Sequence, residues 1–136
     1  MLRRTISAFT IFLTVGLLLS ACQTTKNIAT TAEEAASQIA GDWKGDFINS
    51  RGTHYPLSFH IENNNSQLSG YANIPSSSYD TKPSLTGTIR GNKVDWKTSS
   101  NFVYELHMSK DAEGRYDLSG PVSGPNHGRL EIRKVN

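Results

Sequence analysis

From Asp42 to the end of the chain, apolar and polar residues alternate with a period of two. Trp43, Gly45 and Phe47 alternate with Lys44 and Asp46. Tyr55, Leu57, Phe59 and Ile61 alternate with Pro56, Ser58 and His60. The same alternation places Leu68, Gly70, Ala72 and Ile74 on one face, then Leu85, Gly87 and Ile89, then Val94 and Trp96. Phe102, Tyr104, Leu106 and Met108 follow, then Tyr116 and Leu118, and finally Leu130 and Ile132. A two-residue period is that of a strand with one dry face, so the pattern predicts eight strands. Turn-forming stretches separate them, among them Asn49–Gly52, Asn63–Ser66, Gly91-Asn92 and Asp111–Gly114. Gly91-Asn92 between two alternating runs is a two-residue hairpin signal.

Eight consecutive antiparallel strands with one dry face can close into an up-and-down barrel, which removes both sheet edges. The expected fold is therefore all-β, an eight-stranded antiparallel up-and-down barrel, with a two-sheet sandwich as the alternative. The outward face carries Lys44, Asp46, Glu62, Lys93, Asp95, Lys97, Glu105, Arg115, Asp117 and Glu131, which excludes a lipid-facing barrel wall. The triplets Leu68-Ser69-Gly70, Leu85-Thr86-Gly87 and Leu118-Ser119-Gly120 repeat one motif, with leucine and glycine on the inward parity. Glycine at such positions permits the close approach and sharp coiling that a small barrel needs.

The chain ahead of the strands reads differently. Met1-Leu2-Arg3-Arg4 is basic, Ala8 to Leu19 is apolar, and Leu19-Ser20-Ala21-Cys22 follows. The apolar run has the size of a secretory signal and is short for a membrane span. Basic flank, apolar run, small residues and cysteine in this order resemble the signal and lipobox of bacterial lipoproteins. That resemblance implies cleavage before Cys22 and lipid on Cys22, giving residues 1–21 as signal peptide. Several acyl chains make a stable anchor where one does not. Gln23, where an aspartate would favour the inner membrane, implies the outer membrane with the domain in the periplasm or at the cell surface. Residues 22–40 read as a lipidated tether with one short helix over Ala32–Ala40, capped by Thr30 or Thr31 and ended by Gly41. The barrel domain is expected over residues 41–136.

Charge and cysteine count narrow the partners. The chain has 14 Lys and Arg against 12 Asp and Glu. Removing Arg3 and Arg4 with the signal leaves 12 against 12, so no electrostatic footprint for nucleic acid remains. A lipidated Cys22 leaves no thiol, so the domain is stabilised by its own core rather than by a disulfide.

Gly41-Asp42-Trp43 at the start of the first strand resembles the Gly-x-Trp opening of the calycin superfamily, which includes lipocalins and avidins. The resemblance implies a calycin-like barrel in which Trp43 closes one end beneath a basic side chain of the last strand, here Lys134 with Arg133 adjacent. Gly91 to Lys97 resembles the tryptophan-bearing hairpin of avidins, which adds Trp96 to the barrel-closing core. The chemistry of an avidin site is missing. Only Tyr55, Tyr104, Tyr116 and Thr98 bring polar tips inward, and the interior is expected to be packed solid.

Strands that alternate direction sort the turns onto two ends. The short turns 63–66, 91–92 and 110–114 gather where the tether enters. The longer loops 49–52, 75–83, 99–101 and 121–127 gather at the other end, and loops on a rigid barrel are common binding surfaces. The candidate rim is Tyr79, Asp80 and Lys82 from one long loop, Asn126 and His127 from another, and Arg51 from the first turn. His54 and His60 lie about 20 Å apart along one strand and cannot share a metal. No nucleophile elbow or inward carboxylate pair is present, so neither a catalytic site nor a cofactor is expected.

Two readings of function follow. One is a lipid-anchored envelope module that presents barrel loops to a protein or glycan. The alternative is a periplasmic hydrolase inhibitor, because Gln38 to Trp43 resembles the trunk-and-strand start of small barrel inhibitors of metalloproteases. Those inhibitors usually carry a disulfide that this domain lacks. Lysozyme-inhibitor lipoproteins share the size and the anchor, but not the cysteine-bearing tyrosine strand. Carriage of a small apolar ligand ranks third.

Overall fold

The computed structural model describes residues 28–78 and 80–136. The signal, the lipobox with Cys22, and Tyr79 lie outside the described residues. Nine strands and one helix form in chain order: β1 (Ile28–Ala29), α1 (Ala32–Gln38), β2 (Gly41–Asn49), β3 (His54–Asn64), β4 (Gln67–Asn73), β5 (Ser84–Arg90), β6 (Lys93–Thr98), β7 (Val103–Lys110), β8 (Tyr116–Ser123) and β9 (Gly128–Lys134).

Strands β2 to β9 pair antiparallel with their sequence neighbours, β2 pairs with β9, and β7 pairs with β8, so the sheet closes. The eight predicted strands are these eight, and closure rules out the sandwich. Strand β1 is an addition that the alternation did not announce. It pairs Ile28 with Lys110 and Ala29 with Ser109, where β7 runs past the end of its ladder with β6.

The inward parity is the core. Trp43, Val94, Leu106, Met108, Leu118 and Leu130 are fully buried, and Phe59, Ile61, Leu85 and Ile132 nearly so. Glycine of the repeated triplet acts as expected. A Cβ on Gly70, Gly87 or Gly120 would collide with the backbone carbonyl of His60, Asp95 or Glu105 on the adjoining strand. The bare Cα at these positions lets neighbouring strands approach and coil.

The helix forms because Thr31 caps it, its side chain accepting from the Glu34 N–H at 3.3 Å, with Glu33 and Glu34 in the first turn. Ile39 is its C-cap, and Gly41, at φ +122°, turns the chain into β2. Residues 28–40 are built into the folded body. Ala35 and Ile39 are fully buried in the barrel core, and Asn63 Nδ2 donates to the Ala36 carbonyl at 3.2 Å. Buried Thr30 donates from Oγ1 to the Met108 carbonyl at 3.2 Å. The helix therefore stoppers the end that gathers the short turns.

Candidate binding site at the mouth of the barrel

The end opposite the helix is open. The loops 50–53, 74–83, 99–102 and 124–127 surround a cavity of about 540 Å³. This corrects the expectation of a solid interior. The cavity lies above a layer of Phe59, Trp96 and Tyr104, whose rings lie 5.0–5.7 Å apart and which are buried with the rest of the core. Leu57 and Tyr104 contribute to the inner lining, and Phe47, Tyr55, Ile74 and Phe102 line the wall. Phe47 stacks on Tyr55 at 6.2 Å between centroids and meets Phe102 edge-on at 6.4 Å. Asn49, Ser50, Arg51, Ser76–Ser78, Asn126 and His127 form the polar part of the lining.

Local chemistry sets the rim. The Asn49 side chain accepts from the backbone N–H groups of Arg51 and Thr53, both at 2.9 Å, and its Nδ2 donates to the Tyr55 hydroxyl at 3.4 Å. One asparagine therefore shapes the turn that carries Arg51 and ties it to the aromatic wall. The 74–83 loop is held at its base, where Ile74 N–H donates to the Thr81 carbonyl at 2.8 Å and Ala72 N–H to the Pro83 carbonyl at 2.9 Å. Asn101, at φ +66°, and Gly124, at φ +123°, turn the remaining two connections.

Of the residues predicted for the rim, Arg51, Asn126 and His127 converge on the cavity. Asp80 and Lys82 do not line it. Asp80 accepts from the Lys82 N–H at 2.9 Å within its own turn. Lys82 reaches the outer wall, where its ammonium lies 4.4 Å from the centre of the Tyr71 ring. That ring stacks on His60, which hydrogen-bonds Asp42 at 2.8 Å, in a shallow depression separate from the mouth.

At the closed end, Trp43 Nε1 donates to the Ile39 carbonyl at 2.9 Å. Lys134 is paired with Trp43 across β2 and β9, and its ammonium donates to the Gln38 carbonyl at 2.6 Å. The basic side chain thus neutralises the carbonyl end of α1, and its burial lowers its pKa. Trp96 sits beside Tyr104, and its indole N–H and the Thr98 hydroxyl are buried without a partner among the described residues. Sequence reasoning missed Phe47, Tyr55, Phe102 and Tyr104 as site residues. The available signal was their inward parity combined with nearness to the long loops.

The electrostatics at the two ends differ. Glu34 Oε1 accepts from Lys110 Nζ and from the Tyr116 hydroxyl, each at 2.7 Å. The hydrogen bond from Lys110, then that from Tyr116, lowers the Glu34 pKa, and the same carboxylate raises those of Lys110 and Tyr116. In the mouth, burial pushes the Tyr104 phenol upward, so it is a neutral hydroxyl across the physiological range. The cavity lining holds Arg51 and His127 and no carboxylate. Among the described residues no group of three His, Cys, Asp or Glu could hold a metal, and no helix is long and apolar enough to cross a membrane. No protein-family model, curated protein or solved structure matches the chain.

Proposed function

We propose that this protein is a lipid-anchored binding module of the bacterial envelope, with its site at the open mouth of a calycin-like barrel. The observation that carries the reading is the cavity in which Arg51, Asn126 and His127 meet an aromatic wall, at the end opposite the helix. The order of residues at the N-terminus supports a diacylated Cys22 in the outer membrane. Five residues separate Cys22 from Ile28, a reach of roughly 20 Å for extended chain. The stoppered end then rides close to the bilayer while the mouth faces away from it. The pairing of Trp43 with Lys134 beneath a helix supports the calycin-like reading.

The module binds without catalysing a reaction, and its partner is a protein or a glycan of the envelope. Inhibition through a free N-terminal trunk is disfavoured, because residues 28–39 are hydrogen-bonded to the barrel and partly buried in it. The test is capture of partners from an envelope extract with the lipidated chain, the double variant Arg51→Glu/His127→Glu, and Tyr71→Ala on the outer wall. The reading expects a partner held by the chain and by Tyr71→Ala and lost in the double variant. A partner held equally by all three would move the site off the mouth.

A further inference from the structure

We infer that the cavity at the mouth takes a small amphipathic anion: a planar apolar body among Phe47, Tyr55 and Phe102, an acceptor atom against the Tyr104 hydroxyl, and a carboxylate at Arg51. This rests on the mouth being the binding site and names the chemistry it accepts.

Three observations converge on that class. The first is size and wall. A cavity of about 540 Å³ falls within the range of small-molecule pockets, and its wall carries three aromatic rings, with Phe47 meeting both Tyr55 and Phe102. Flat rings with a polarised edge and face favour a flat ligand body.

The second is an idle hydrogen-bonding group at depth. Tyr104 is 2 % exposed and lines the cavity, yet its hydroxyl has no hydrogen bond among the described residues. The hydroxyl oxygen itself stays accessible, unlike the sealed Trp96 indole N–H and Thr98 hydroxyl, so an acceptor atom on a bound molecule can reach it. Held neutral by burial, the phenol keeps its proton to donate.

The third is charge. Arg51 has no ion-pair partner among the described residues, and no carboxylate lines the cavity to compete for it. Its turn is fixed by Asn49, so the guanidinium is carried on an ordered loop. A planar guanidinium matches a carboxylate in two parallel hydrogen bonds. The deep donor and the rim cation together select a molecule with an acceptor at one end and a negative charge at the other.

The two tryptophans make the test site-specific. Trp96 lies 5.7 Å from the Tyr104 ring, whereas the Trp43 indole is bonded to Ile39 at the far end. The ¹⁵N-labelled full chain, in one zwitterionic detergent throughout, is titrated with 6-hydroxy-2-naphthoate, its neutral carboxamide, and 2-naphthoate. The indole N–H signals and the backbone amides are followed. Saturable shifts are expected at Trp96 and at Arg51 and Ser76–Ser78, with Trp43 unmoved. Arg51→Gln should weaken the hydroxynaphthoate about five-fold at low salt and leave the carboxamide unchanged. Tyr104→Phe keeps the ring packing and should weaken the hydroxynaphthoate about five- to ten-fold, while 2-naphthoate, lacking the distal hydroxyl, is unaffected.

Absence of saturable shifts, shifts centred on Trp43, or equal affinity for acid and carboxamide would each overturn the inference. Failure here is separable from failure of the mouth as a binding surface. If no probe binds but the double variant still loses its envelope partner, only the small-anion inference falls. If the probes bind and the partner is retained by the double variant, the inference stands and the partner reading falls.

Discussion

Replacing Trp43 by alanine should unfasten the helix from the barrel as well as hollow the core. The side chain is fully buried, and truncating such a ring costs about 3–5 kcal/mol. Its indole N–H is also bonded to the Ile39 carbonyl at 2.9 Å, and losing that bond adds about 1 kcal/mol. The sum, about 4–6 kcal/mol, is a large share of the roughly 5–15 kcal/mol that holds a domain folded. For a folded body of this size it lowers Tm by roughly 15–25 °C. Thermal unfolding followed by circular dichroism measures this directly. Trp96 supplies a matched control. It is 2 % exposed and equally a core ring, but its indole N–H has no partner among the described residues. Trp43→Phe should therefore cost about 1 kcal/mol more than Trp96→Phe, because only the former strands a carbonyl. Amide exchange adds a local readout, since Trp43→Phe should expose Ala35 and Ile39 before the strands. A Tm loss below about 5 °C for Trp43→Ala, or identical losses for the two phenylalanine variants, would refute the role of Trp43 as the fastening of the stopper.

Four further outcomes are expected. Gly70→Ala should destabilise by about 2 kcal/mol or more in urea unfolding, because its Cβ meets the His60 carbonyl and its φ is +145°. Lys134→Met should cost about 1–2 kcal/mol, by removing the ammonium from the Gln38 carbonyl at the end of α1. Glu34 has its pKa lowered on folding, so its contribution is fully present above its unfolded value near 4.5 and fades as pH falls through the folded value. The wild-type stability advantage over Glu34→Gln should therefore shrink as urea unfolding is repeated toward acid pH. Cys22→Ser should move the protein from the membrane fraction to the soluble fraction of cells, since the lipid on that thiol is the proposed anchor.

How much of this was legible beforehand depends on whether a feature is local. Period-two alternation is a local property, so Trp43, Phe59, Trp96 and Leu118 could each be assigned inward from their neighbours alone, and all are buried. Turn chemistry is equally local, and the alternation of strand direction follows from it. That reasoning sorted Arg51, Asn126 and His127 to one end without any knowledge of the tertiary structure. The Leu-Ser/Thr-Gly repeat marked where backbones approach, because only a missing Cβ allows it.

The remainder depends on residues far apart in sequence. The Glu34 carboxylate meets Lys110 and Tyr116 across 76 and 82 residues, and no local pattern encodes that meeting. Docking of residues 28–40 depends on the closed barrel leaving one end apolar enough to receive Ala35 and Ile39. Strand β1 exists only because β7 outruns β6 there. Lys82 and Asp80 share a loop with Ser76–Ser78, but the path of that loop sends them to the wall rather than the mouth. The cavity is the clearest case. Parity determined that Phe47, Tyr55 and Phe102 point inward, whereas the space left between them is set by how far apart closure holds their strands. The sequence by itself determined which side chains face inside and at which end. Only the tertiary structure decided where the inside is full and where it is hollow, because packing is a property of the whole circumference and not of any one strand.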